Sequence, residues 1–211
     1  MRRVRRLVLE RWDGLSILVL PDVLNPVVFR SGTFLAEALA ALPPPAKRDA
    51  TPPRALDMGT GSGIGALALA RAGLAVVAVD VNPEAVRCAR INALLNRLEG
   101  AVDVREGDLF GPAGDVAFDV IAFNPPFFEG TPSDLHDAAW RGAGVFERFA
   151  AELPGHLAPG GLALVLLSDH GAEAGQRAAL GAAGLEVTVH AVRDYESERL
   201  TIWAARRLEA P

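Results

Sequence analysis

Asp57-Met58-Gly59-Thr60-Gly61-Ser62-Gly63-Ile64-Gly65, entered from the apolar pair Ala55-Leu56, is the stretch that decides the fold. An apolar run that ends in a carboxylate and breaks into alternate glycines reads as a buried strand turning tightly into a helix, here expected from Ala66 to Ala72. Glycines at alternate positions weaken any regular element, so they point to a turn whose backbone a ligand approaches closely. Downstream, strand and helix patterns alternate. Leu74 to Asp80 is the second strand, Pro83 opens a helix to about Leu95, and Ala101–Arg105, Ala117–Asn124 and Gly161–Ser168 supply three more strands. A helix from about Trp140 to Leu157 precedes the last of these. Such alternation predicts a parallel sheet covered by helices. The end of the chain differs. Only Arg193–Arg199 separates the strand-like runs Leu185–Val192 and Leu200–Ala205, too little for a helical crossover, so an antiparallel hairpin is expected at one side of the sheet.

Upstream, Val4–Trp12 and Leu15–Leu20 flank Asp13-Gly14, a two-residue hairpin signal. Residues 1–30 therefore read as a hairpin and entry segment, and residues 31–211 as the main domain of one compact fold. Ser31 or Thr33 is expected to cap a short helix from Leu35 to Leu42 that Pro43-Pro44-Pro45 ends. The 211 residues are 50% hydrophobic and 22% charged, with mean hydropathy +0.22, which is apolar enough for a packed core and excludes a disordered chain. The single cysteine, Cys88, rules out an internal disulfide and suits a reducing cytoplasm; it is expected to be buried on a helix face with Ile91 and Leu95. Glu10, Arg11 and Asp13 interrupt any export signal, and prolines and glycines break the longest uncharged run, 153–168, so neither export nor a spanning helix is expected. A net charge of -5 opposes broad nucleic-acid binding, and Arg2, Arg3, Arg5 and Arg6 read as a charged hairpin edge.

The candidate chemistry sits at strand ends. Asp80 closes the second strand, where ligands of open parallel sheets bind, and its carboxylate can accept both hydroxyls of a ribose. Asp108, in Glu106-Gly107-Asp108-Leu109-Phe110, can take the exocyclic amine of an adenine at the same edge; a plain turn aspartate is the alternative. By spacing alone a nicotinamide cofactor, and hence an oxidoreductase, also fits, because Gly61, Gly63 and Ala66 satisfy G-x-G-x-x-A. The most specific feature is Asn124-Pro125-Pro126-Phe127, directly after Val120–Phe123. Two prolines lack N–H groups and hold Asn124 and Pro125 extended, which leaves the Pro125 carbonyl and the Asn124 side-chain carbonyl as fixed acceptors beside the ring of Phe127. That is a seat for a planar NH2 group; a strand-ending Pro-Pro without chemistry is the plain alternative. His136, His156, His170 and His190 are scattered, with no nucleophile beside them, and carry no expected catalytic role.

In this order and spacing, Asp57-x-Gly59-x-Gly61-x-Gly63, Asp80, Gly107-Asp108 and Asn124–Phe127 resemble a class I S-adenosylmethionine-dependent methyltransferase of the amino-methylating group, from about Asn25 to the end. Gly32-Thr33-Phe34-Leu35, the run Asp137–Gly142 and Glu198-Arg199-Leu200 more narrowly resemble short HemK-type protein glutamine methyltransferases. The resemblance implies an α/β, Rossmann-like, seven-stranded and mostly parallel sheet whose last strand is antiparallel. It implies S-adenosylmethionine as cofactor, S-adenosylhomocysteine as product and no metal. It places Thr33 over the methionine part, Asp57, Gly59, Gly61, Gly63 and Leu109 around the cofactor, Asp80 on the ribose and Asp108 on the adenine. Asn124 then touches cofactor and acceptor, and Pro125, Pro126 and Phe127 complete the catalytic motif. The implied partner is a protein, a translation release factor methylated on a glutamine amide, with residues 128–140 contributing to recognition. Phe127 stands where that group usually carries tyrosine and matches enzymes that methylate the exocyclic amine of guanine in ribosomal RNA, so an RNA base amine is the alternative acceptor.

Overall fold

The computed structural model describes residues 6–43, 51–128, 130–131, 133 and 137–208. The N-terminal hairpin pairs β1 (Val8–Trp12) with β2 (Leu15–Val19), antiparallel, with Trp12 opposite Leu15. Asp13 and Gly14 both take positive φ, 45° and 79°, the turn whose twist suits a two-residue hairpin. Of the arginine cluster only Arg6 falls within the described residues.

The next segment corrects the expected cap. Two helices, α1 (Pro26–Phe29) and α2 (Ser31–Ala40), meet at Arg30, whose φ of 61° lies in the left-handed region. Asn25 caps α1, its Oδ1 accepting from Val27 N and Val28 N, and Pro26 follows in the first turn. Neither Ser31 nor Thr33 caps α2, because the helix already includes both and Arg30 holds its N-cap position: Thr33 Oγ1 donates to the Arg30 carbonyl and Ser31 turns inward.

The main sheet is built from β3 (Arg54–Met58), β4 (Ala75–Asp80), β5 (Val102–Glu106), β6 (Phe118–Phe123), β7 (Leu157–Ser168), β8 (Leu185–Tyr195) and β9 (Glu198–Arg207), in the order β5-β4-β3-β6-β7-β9-β8. The first five run parallel and β9 runs antiparallel to both β7 and β8, as expected. Helices α3 (Ile64–Arg71) and α4 (Pro83–Leu95) cover one face with α2 and the hairpin. The other face carries α5 (Val145–His156) and α6 (Glu173–Ala182), whose Phe146, Phe149, Leu153 and Leu180 join the apolar cluster there, with α6 lying against β8 and α5. No helix among the described residues is long and apolar enough to cross a membrane.

Three expectations change. Helix α5 starts at Val145 rather than near Trp140, because Trp140 closes a turn on the Asp137 carbonyl and Arg141 then bridges to Phe128: Phe128 N donates to the Trp140 carbonyl and Gly142 N to the Phe128 carbonyl. Helix α6 has no counterpart among the expected elements, because only Gln176 and Leu180 of its residues are buried and no repeating apolar pattern marks it. Cys88 is buried as expected, but its face-mate is Asn92, not the exposed Leu95. Asn92 is fully buried because it acts as a strand. Its amide accepts from Leu18 N and donates to the Leu18 carbonyl at 2.8 and 2.7 Å, and Asn96 does the same for Ser16 at 2.9 and 2.8 Å. The two amides, one helical turn apart, satisfy the free edge of β2 and lock the hairpin onto α4.

Candidate active site

The carboxyl ends of β3, β4 and β6 open into one cavity, walled by the turns that follow them and by the start of α2. After β3, Gly59, Gly61 and Gly63 take φ of 60°, 55° and 84°, which accounts for glycine at each alternate position. Gly65 is required for a different reason: a Cβ there would lie 2.7 Å from Asp57 Oδ1. Asp57 Oδ2 accepts from Thr60 Oγ1 at 2.6 Å and from Ala66 N at 2.8 Å, so this carboxylate braces the turn and the first turn of α3. Burial pushes its pKa up to about 6 against the opposing pull of those two hydrogen bonds.

Asp80 meets the turn from β4. Its Oδ2 accepts from Gly61 N at 2.8 Å and its Oδ1 from Asn82 N at 2.9 Å, while burial raises its pKa above the ordinary carboxylate value. Each oxygen keeps a lone pair for a further donor, so the pair of oxygens can still take two hydroxyls. Asn82, next along, caps α4 through Glu84 N. Asp108 and Leu109 also line the cavity, but Asp108 is half-exposed and ion-paired with Arg148 of α5, a partner invisible to local sequence reading. Leu109 holds φ 46°, a left-handed conformation in a non-glycine residue at the cavity wall.

Asn124, Pro125, Pro126 and Phe127 form the far wall. Phe127 is buried, and the loop after β7 packs so closely behind it that a Cβ at Gly171 would lie 2.5 Å from the Phe127 carbonyl. The Asn124 side chain donates from Nδ2 to Ser31 Oγ at 3.2 Å, and its Oδ1 is buried without a hydrogen-bond partner. Ser62 Oγ in the glycine turn is likewise buried and unpartnered. Such orphaned atoms are rare in folded proteins and mark places where a ligand supplies the missing bond.

Thus the structure brings together Asp57, Gly59, Gly61, Asp80, Asp108, Leu109 and Asn124–Phe127 around one cavity. It does not bring Thr33 there: that hydroxyl is spent on the Arg30 carbonyl, and Ser31 and Gly32 line the wall in its place. Gly63 packs behind the turn, where a Cβ would lie 3.1 Å from Ala89. Sequence reading missed Ser31, Ser62 and Trp140 as wall residues. Trp140 stands edge-on to Phe29 with ring centroids 4.8 Å apart, and its only signal was membership of the run 137–142.

A glycine turn, a carboxylate at the end of the neighbouring strand and a cavity at the carboxyl edge of an open parallel sheet define a nucleotide-cofactor-binding α/β protein. The chain belongs to the methyltransferase small domain family, whose model matches residues 31–187. It is 33% identical over 162 residues to a Methanocaldococcus jannaschii protein named as a protein N5-glutamine methyltransferase, an overlap of 72% of this chain and 81% of that one. It is 36% identical over 169 residues to a release factor glutamine methyltransferase of Koribacter versatilis, covering 72% of this chain and 57% of that relative's length. Among solved structures, a T. thermophilus 16S rRNA N2 methyltransferase, in complex with AdoMet and guanosine, shares the fold with TM-score 0.69. That match is 23% identical and covers 96% of this chain and 50% of the other. The protein is an S-adenosylmethionine-dependent N-methyltransferase, and the nicotinamide alternative that glycine spacing left open falls away. The wall fits this cofactor: Asp80 has lone pairs for ribose hydroxyls, and the orphaned Ser62 Oγ and Asn124 Oδ1 await polar partners beside the apolar Leu109 and Phe123.

Proposed function

We propose that this enzyme methylates the side-chain amide nitrogen of a glutamine in a translation release factor, acting in the cytoplasm. The observation that carries the reading is the buried, unpartnered Asn124 Oδ1 in the cavity wall. An acceptor without a donor, beside a Pro-Pro backbone and the buried Phe127 ring, suits a planar NH2 group that brings its own protons. The amide N–H groups donate to Asn124 Oδ1 and the Pro125 carbonyl, and Phe127 covers the flat face of the amide. When bound, S-adenosylmethionine supplies an electrophilic methyl group on sulfur and leaves as S-adenosylhomocysteine. Asp80 holds its ribose, Asp57 keeps the glycine turn in shape and Asp108 faces its adenine end. The two acceptors orient the nitrogen lone pair for in-line attack; the N–C bond forms as the S–C bond breaks, and one amide proton passes to water. The names of both relatives, which concern glutamine, favour this acceptor.

A base amine in RNA is the second reading, favoured by two arginine–aromatic pairs whose arginines adjoin the cavity-lining Ser31 and Trp140 in sequence. Arg30 lies 5.0 Å over Tyr195 and Arg141 5.8 Å over Phe128, an arrangement suited to stacking bases. The deciding experiment incubates the enzyme and labelled methyl donor separately with release factor, ribosomal RNA and transfer RNA. Label in release factor, lost in Asn124→Ala, is the expected result. Label only in RNA overturns the glutamine assignment and retains the NH2 seat.

A further inference from the structure

The role given to Asn124 depends on the plane and sense of its amide. The two ends of that amide are alike in size and differ only in that one accepts and the other donates. Local sequence fixes neither, because Asn124 follows a strand and precedes two prolines that offer no N–H. What holds the amide is Ser31, a residue 93 positions earlier, whose Oγ accepts from Nδ2 at 3.2 Å.

Ser31 is itself delivered by a built corner. It is buried although it is polar and sits in the first turn of a helix. The preceding Arg30 is held at φ 61°, ψ -27°, with its guanidinium over the Tyr195 ring. The following Gly32 lies so close to α1 that a Cβ there would be 2.7 Å from Pro26 Cβ. A left-handed arginine and a glycine without room for a side chain are what it takes to aim the intervening hydroxyl at the far loop.

We infer that Ser31 is a positioning residue that fixes the Asn124 amide with Oδ1 toward the methyl acceptor, an inference that rests on the NH2-seat reading of Asn124. A hydroxyl can accept or donate, but the opposite sense would set the Asn124 NH2 against the NH2 of the acceptor. Only with Nδ2 on Ser31 do both amides find partners.

The test compares Ser31→Ala, Ser31→Thr, Asn124→Ala and the Ser31→Ala/Asn124→Ala double variant, using whichever of release factor, ribosomal RNA or transfer RNA the wild-type enzyme labels. Ser31→Ala should lower kcat by about 10- to 100-fold, the cost of a misplaced reacting group. The calorimetric Kd for S-adenosylmethionine should stay within about twofold, Ser31→Thr should restore most of the rate, and Ser31→Ala should add nothing in the Asn124→Ala background. Independently of any acceptor, the 15N side-chain amide resonance of Asn124, assigned by its loss in Asn124→Ala, should shift in Ser31→Ala and return in Ser31→Thr. Full activity or an unmoved resonance in Ser31→Ala, with Asn124→Ala inactive, overturns the role of Ser31 alone. Full activity in Asn124→Ala overturns the NH2 seat and this inference with it.

Discussion

Asp57 and Asp80 are two carboxylates at one sheet edge, divided by what their oxygens already hold. Asp57 spends Oδ2 on Thr60 and Ala66 N inside the turn, whereas the Asp80 oxygens take only backbone N–H groups, Gly61 N on Oδ2 and Asn82 N on Oδ1 among them, and retain capacity toward the cavity. Replacing Asp80 with alanine should therefore weaken S-adenosylmethionine binding by about 1.5 to 3 kcal/mol, the range for hydrogen bonds to a charged group. An unchanged calorimetric Kd would remove Asp80 from the ribose. Asp57 instead sets a pH dependence of folding. Its pKa is raised to about 6, so the native state holds the proton more tightly than the unfolded chain, where the value is about 3.9. Its contribution is fully present below pH about 4 and is lost as pH rises through about 6, on the order of 3 kcal/mol across the window. Urea denaturation of wild type and Asp57→Asn between those limits should show the wild type losing ground to the variant as pH rises; parallel curves would refute the shift.

At the scale of elements, the hairpin and the glycine turn share one support in α4. Asn92 serves both edge groups of Leu18 and also donates to the Ser62 carbonyl at 2.8 Å. Asn92→Ala leaves these buried backbone groups without partners and should cost about 2 to 4 kcal/mol of stability, summing modest penalties for each orphan. It should also weaken cofactor binding, because the turn loses its anchor at Ser62. A urea midpoint indistinguishable from wild type would show that water replaces the amide. The predicted and observed elements agree best where a cap or a turn residue marks them, as at Asp13-Gly14 and at Asn82-Pro83. They part where a distant pairing decides: residues 140–142 have helical composition but lie against Phe128, so α5 waits until Gly144, at φ 65°, has turned the chain.

The whole molecule carries a charge of -5, yet Arg30 and Arg141 adjoin the cavity-lining Ser31 and Trp140 in sequence and Arg148 pairs with the cavity-lining Asp108. Arg141 and Arg148 are paired with Asp137 and Asp108, which reduces the charge they offer to phosphates. With a protein acceptor, raising salt from 50 to 200 mM should change kcat/KM by less than about tenfold. An acceptor held through many phosphates would lose about 10³-fold or more. A steep salt slope in the labelling assay would favour RNA.

By itself the sequence determined the layered α/β fold, the strand runs with their antiparallel end, and the strand-end positions of Asp57, Asp80, Asp108 and Asn124–Phe127, while the order of the strands in the sheet was set by the folded chain. These are local matters, since apolar periodicity, glycine at positive φ and paired prolines act on their immediate neighbours. Tertiary structure alone decided how the site is held. Ser31 reaches Asn124 across 93 residues, Arg148 reaches Asp108 across 40, and Asn92 reaches Leu18 across 74. None of these pairs shares a turn, a face or a period in the sequence. It also decided which hydroxyl of the α1–α2 corner faces Asn124: Ser31 turns inward, and Thr33 bonds the Arg30 carbonyl. A side chain's direction at such a corner follows from one left-handed residue and from what packs behind it, and neither can be read before the chain has closed on itself.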